Sequence, residues 1–182
     1  MNQRPDRYPL SMRLLHWMRA ALIIPLITLG WAMTSLPDSF VAKSEWAYPV
    51  HKEFGVLAFL IGAIALFVRR RSAVPPHSDG LARWETTLST IVQHVMLALA
   101  IVVPLMGYAM SSSFTQSDGV PFFGLELPEL LPKNDRAFAV FAWTHKTLAY
   151  TLLALVALHV LGVLKHRFLD RGRNTDVLPR MI

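Results

Sequence analysis

Cysteine is absent from this chain of 182 residues. That absence excludes disulfides, thiolate ligation of iron–sulfur clusters and covalent c-type haem attachment through Cys-x-x-Cys-His. Histidine, present seven times, is left as the obvious soft-metal ligand. Charge is also scarce, at 16% of residues, against a hydrophobic fraction of 53%, which is too apolar for an ordinary soluble domain. A basic patch with interleaved aromatics is missing too. The net charge of +6 comes from residues flanking apolar runs, so it reads as membrane topology and no nucleic-acid partner is expected. No low-complexity tract or soluble domain interrupts the chain, and residues 1–182 are expected to form a single transmembrane domain. The apolar run after Met1–Arg19 carries no small-residue cleavage signature before Asp38, so it is read as a retained span.

Four apolar runs are present. After a polar arm, Met1 to Pro9, they cover about residues 11–35, 48–68, 84–110 and 137–164, each long enough to cross a hydrocarbon core of about 30 Å as a helix. Pro25 lies inside the first and Pro104 inside the third, which membrane helices tolerate when neighbours satisfy the freed carbonyl. Leu36 to Ala47 reads as a short loop, and Tyr48-Pro49 suits a helix start. Ser72 to Gly80, with Pro75 and Pro76, is a loop by its breakers. Ser111 to Arg136 is a longer one, of a length that points to a function, placed on the membrane surface. Arg4, Arg7, Arg13, Arg19, Arg69, Arg70, Arg71, Arg83, Lys165, Arg167, Arg171, Arg173 and Arg180 fall on one side; Lys43, Lys52, Lys133, Arg136 and Lys146 fall on the other. Cytoplasmic loops are enriched in lysine and arginine, so thirteen against five places both termini in the cytoplasm and makes the number of spans even. The expected architecture is all-α: an integral membrane four-helix bundle.

The segment Phe138 to Leu164 carries His145 and His159, fourteen residues apart. Fourteen residues turn a helix about 1400°, within roughly 40° of four full turns, and rise about 21 Å. Both imidazoles therefore share one face at two depths. An ionisable group inside a span is costly to insert and marks a functional candidate. By depth, His16 pairs with His159 on the cytoplasmic side, and His51 pairs with His145 on the outer side. Two bis-histidine sites of this kind suit two haem irons on an electron path across the membrane, with no open position at either metal. The structural alternative for any one histidine is a hydrogen bond to a serine or a carbonyl, but four histidines matched in depth favour the dihaem arrangement. Gly55 and Gly162, close to His51 and His159, are candidates for a porphyrin's close approach. His94, unpaired in this scheme, stays open between a quinone hydrogen-bond partner, a proton relay, an alternative ligand to the cytoplasmic iron and a structural residue. Trp17 joins it as a quinone-site candidate. Arg13, Arg19, Lys52 and Lys146 are topological charges first, and cations for haem propionates or a small anion second. His77 and His166 are expected to be solvated.

Leu15-His16-Trp17, His51-Lys52-Glu53-Phe54-Gly55, Gln93-His94, Pro104-Leu105-Met106-Gly107-Tyr108, His145-Lys146-Thr147-Leu148-Ala149 and Leu164-Lys165-His166-Arg167-Phe168 together resemble the prokaryotic cytochrome b561 family across nearly the whole chain. The resemblance implies a four-helix cytochrome of the bacterial inner membrane with two haems b, ligated by His16 with His159 and by His51 with His145. It is also similar to the cytochrome b subunits of nickel–iron hydrogenases and formate dehydrogenases. One branch of the family is a superoxide oxidase that reduces ubiquinone, so superoxide or a periplasmic redox protein, quinone and membrane lipid are the expected partners. The Ser117-Asp-Gly-Val-Pro-Phe-Phe-Gly124 stretch looks closer to members with no settled activity. Two other classes are weighed beside this one. An electron-wire subunit docked on a partner enzyme shares the same bundle. A metal transporter is disfavoured, because Glu53 and Glu85 are the only carboxylates near the apolar stretches, where transport sites need mid-membrane acids or broken helices.

Overall fold

The computed structural model describes residues 7–170 and 175–182. Arg4, Arg171, Arg173 and most of the expected polar arm lie outside the described residues. Four helices long and apolar enough to cross a membrane account for most of the chain. They are α1 (Leu10–Ser35), α2 (Tyr48–Arg71), α3 (Arg83–Ser113) and α4 (Asp135–Phe168). Successive helices run antiparallel, so both ends of the chain lie at one end of the bundle, where the Tyr8 N–H donates to the Arg180 carbonyl at 3.1 Å.

Local chemistry sets the helix ends. The Asn134 side chain accepts from the Arg136 and Ala137 N–H groups at 3.0 and 3.1 Å and starts α4. Glu85 reaches back to the Ala82 N–H at 2.9 Å and starts α3. An acceptor at these places satisfies donors that the first helical turn leaves orphaned. The segment expected as a loop before α2 is instead largely helical, with a π turn over Lys43–Ala47 that runs straight into Tyr48. Pro49 has no N–H to return to the Glu45 carbonyl, and the Tyr48 N–H bonds five residues back, to Lys43, which is how a π turn absorbs such an interruption. Lys43 is buried there, its ammonium held by Asp38 at 2.6 Å and by the Leu36 carbonyl at 3.1 Å.

The bundle's interior is built from small residues where α2 meets α3. Ala58, Gly62 and Ala65 lie on one face of α2 and are buried with Val92, Leu99 and Ala100 of α3. A Cβ on Gly62 would stand 3.1 Å from the Ala100 carbonyl oxygen. That is the carbonyl left without a helical donor by Pro104, so glycine admits α2 to the place where the α3 ladder is broken.

The all-α expectation needs one correction. The third loop contains a two-stranded antiparallel hairpin, β1 (Val120–Phe122) and β2 (Leu125–Leu127), with Val120 opposite Leu127. Phe123 (φ 46°) and Gly124 (φ 84°) form its turn, the positive-φ pair that matches the twist of a tight hairpin. The hairpin sits on α2. Phe123 meets Phe54 edge-on at 5.5 Å, and Lys52 donates to the Gly119 carbonyl at 2.8 Å.

Candidate functional site

Each of the two expected histidine pairs is brought together. His16 of α1 faces His159 of α4 with ring centres 6.2 Å apart and planes at 63°. His51 of α2 faces His145 of α4 with ring centres also 6.2 Å apart and planes at 81°. Two metal–imidazole bonds of about 2 Å each, added to the two ring radii, account for that separation. The residues present therefore fit an iron held between each pair, and α4 contributes one imidazole to both pairs.

Around His16 and His159 lies a cavity of about 940 Å³ between the helices at the termini end. Its walls are mainly apolar, with Leu15, Ile23, Val92, Leu152 and Val156 among them, and Arg19 and Arg69 border it. Such a volume, with a few polar groups on apolar walls, has the character of a site for a large planar ligand. Gly162 borders the same space, and nothing lies within 4 Å of a Cβ built on it or on Gly55. Both glycines leave the room that a macrocycle edge needs.

At the mouth of this cavity sits a compact ionic network. Lys165 bridges Glu85 at 2.6 Å and Asp170 at 2.9 Å, and His166 Nδ1 lies 2.8 Å from the same Asp170 oxygen. The ligand atoms of Glu85, His166 and Asp170 cluster within 4.8 Å of one another, but the Lys165 ammonium already neutralises that acidic pocket. Lys165 first, then His166, holds the Asp170 carboxyl below its ordinary range. His166 is thus enclosed and partnered, where its interfacial position suggested solvent. His77 is exposed, as expected, 3.3 Å from Thr90 Oγ1.

The remaining candidates separate. Trp17 borders the cavity and meets His16 edge-on at 5.3 Å, but its indole N–H is already donated to the Met181 carbonyl at 2.9 Å. Arg180, beside that carbonyl, donates to Pro76 at 2.6 Å, so the last residues fold back across the cavity's open end. His94 is exposed on α3, its Nδ1 2.7 Å from the Thr90 carbonyl, while its neighbour Gln93 lines the cavity. The structure does not bring His94 to the His16–His159 pair. Arg19 borders the cavity with Nε donating to the Leu15 carbonyl at 3.2 Å. Arg13 is half-buried, and its Nε has no partner among the described residues. Lys146 is exposed. Lys52, expected to face a propionate or an anion, is instead committed to the hairpin through Gly119.

Sequence reasoning missed Arg69 as a cavity residue and Gly30 as a neighbour of the His51 ring, from which a Cβ would stand 3.1 Å. The run Arg69-Arg70-Arg71 hides the first inside a topological signal. The second has no local signal, because it depends on how α1 and α2 lie together.

Residues 7–182 match the family described as prokaryotic cytochrome b561. The chain is also similar to cytochrome b561 homolog 2 of Escherichia coli (strain K12), at 29% identity over 188 residues, an alignment that covers 98% of this chain and 92% of that protein. With four membrane-length helices and two facing histidine pairs on one side, and a family match over almost the whole chain on the other, the protein belongs to the prokaryotic cytochrome b561 family, the haem b electron-transfer proteins of the membrane.

Proposed function

We propose that the protein is a dihaem b cytochrome of the bacterial inner membrane that carries single electrons between a periplasmic partner and the quinone pool, with both termini in the cytoplasm. The observation that carries this reading is the equal 6.2 Å separation of two imidazole pairs at two depths of one bundle. Haem b, when bound, would supply reversible one-electron chemistry, and the two imidazoles of each pair would hold its iron. The chain's own residues do the rest. His16 with His159 and His51 with His145 set the two depths, about 21 Å apart along α4. Apolar walls exclude water from the termini-end cavity, and Arg19 and Arg69 supply cations at its border. A quinone accepting two electrons also takes two protons. The Glu85–Lys165–Asp170–His166 network at the cavity mouth offers carboxylates and an imidazole through which protons pass from the cytoplasm.

For the electron donor the reading is superoxide, making the chain a superoxide:ubiquinone oxidoreductase. Lys146, exposed one residue after His145, is the cation that favours a small anion there. A second reading, an electron wire docked on a partner redox protein, is favoured by Phe123, Leu125 and Leu130, apolar side chains that the hairpin end leaves exposed. Pyridine haemochrome analysis of the purified protein tests the cofactor content, with about two haems b per chain and low-spin spectra expected; a colourless protein overturns the reading. Stopped-flow mixing of the oxidised protein with superoxide, with and without ubiquinone, then separates the donors. Haem reduction that slows with salt supports superoxide. Reduction by quinol alone, or only by a copurifying protein, supports the docked wire.

A further inference from the structure

The two histidines of the hairpin-end pair each lie against a glycine of a neighbouring helix. His145 Nδ1 lies 2.9 Å from the Val103 carbonyl oxygen of α3, and a Cβ built on Gly107, one turn further along that helix, would stand 3.1 Å from both His145 Cε1 and Nδ1. On α1, a Cβ built on Gly30 would stand 3.1 Å from His51 Cε1 and 3.7 Å from its Nδ1. The His51 Nδ1 is buried and reaches no hydrogen-bond partner among the described residues, so on this side the geometry shows the glycine–ring packing alone.

The recurrence has a physical cause. Helical Cα–Cβ bonds tilt towards the N-terminus, so the side chain at position i+4 covers the surface beside the carbonyl of residue i. Glycine at i+4 removes that cover. A ring from a neighbouring helix can then lie flat against the exposed backbone with a ring nitrogen turned to the carbonyl. Metal-ligating histidines characteristically give their second nitrogen to such an acceptor, which fixes tautomer and ring orientation.

We infer that Gly30 and Gly107 are positioning residues for the hairpin-end haem: each admits the ring of His51 or His145 against a helix backbone, and Gly107 also uncovers the Val103 carbonyl that orients His145. The inference rests on the dihaem reading for its consequence, but the seat itself is a packing relation between glycine and ring. Alanine at either position puts a methyl 3.1 Å from the imidazole, closer than ordinary van der Waals contact. The ring must then give way by a few tenths of an ångström, at a site where ligand orientation decides metal affinity.

The test is a pair of double-mutant cycles on the purified protein, Gly107→Ala with His145→Ala and Gly30→Ala with His51→Ala. Absorption and electron paramagnetic resonance spectra should show that Gly107→Ala and Gly30→Ala each shift or deplete the component that His51→Ala removes. Retention of that haem should fall roughly 10-fold or more, and the component that depends on His16 should stay intact. Thermal unfolding provides the second readout. Each alanine should lower Tm when its histidine is present and should cost little once that histidine is alanine. A glycine variant that fails to accumulate is decided the same way, by whether accumulation returns in the histidine-to-alanine background. Unchanged spectra in both glycine variants, or an equal Tm penalty in both backgrounds, overturns the proposal. Should the protein hold fewer than two haems, the dihaem reading fails on that count alone, and the Tm cycles still decide the seat.

Discussion

At the residue scale, the four ligand candidates are separable by pairs. His16→Ala and His159→Ala should remove the same spectral component, and His51→Ala and His145→Ala the other, because an iron that loses one of two axial imidazoles loses its low-spin site. Redox-difference spectra of the four variants check the pairing; loss of a component in His94→Ala with both retained in His16→Ala would reverse it. Lys52 tests a different point. Its ammonium donates to the Gly119 carbonyl, and Gly119 itself holds a backbone with φ of 88°, beside a Glu126 carboxylate that leaves no room for a Cβ. Lys52→Met should therefore loosen the hairpin, at a cost of about 1.5 kcal/mol for a hydrogen bond to a charged group. Both haem components should remain. Chemical-denaturation midpoints and haem content, measured side by side, distinguish this from a lysine that serves a propionate, whose loss would shift a spectrum or a potential.

At the scale of elements, the small-residue contact between α2 and α3 sets a sharp packing limit. Gly62→Ala would press a methyl against the Ala100 carbonyl, and backbone atoms do not swing aside as a side chain does. The expected cost is about 1–3 kcal/mol, the range for overpacking a tight interior, read as a lower unfolding midpoint in detergent. At the termini end, Asp170 ties the close of α4 to Lys165 and His166. Its folded-state pKa is depressed, so its contribution is present above the ordinary carboxylate pKa of about 3.9. That contribution is lost as pH falls through the lowered folded-state value. Acidification below about pH 4 should raise hydrogen exchange around residues 165–170, and Asp170→Asn should show the same protection loss already at neutral pH. The helices and the facing of the histidine rings are legible in the sequence, because apolar run length and a fourteen-residue spacing on one helix translate directly into depth and face. The hairpin is not. It is held by Lys52 and Phe54 of α2, which are distant in sequence. His166 looked solvated for the same reason: Glu85, 81 residues earlier in the chain, joins the network that encloses it.

On the scale of the whole molecule, orientation and cofactor content are the properties to measure. A reporter fused at either end should read as cytoplasmic, while a site placed near Leu130 in the third loop should be labelled from the periplasm; the opposite pattern would invert the proposed direction of proton uptake. The tryptophans make a further measurement available. Trp31, Trp46 and Trp143 lie towards the hairpin end and Trp17 and Trp84 towards the termini end, all exposed on the bundle's surface, as aromatic belts at two interfaces would be. Among them Trp17 meets the His16 ring edge-on at 5.3 Å. A haem seated on His16 and His159 would lie within the range of efficient energy transfer from that indole, so the emission of Trp17 reports occupancy of this site. In a His51→Ala chain whose other four tryptophans are replaced by phenylalanine, the remaining fluorescence would go dark as haem binds there and return as it leaves, giving a titration of this site free of the other.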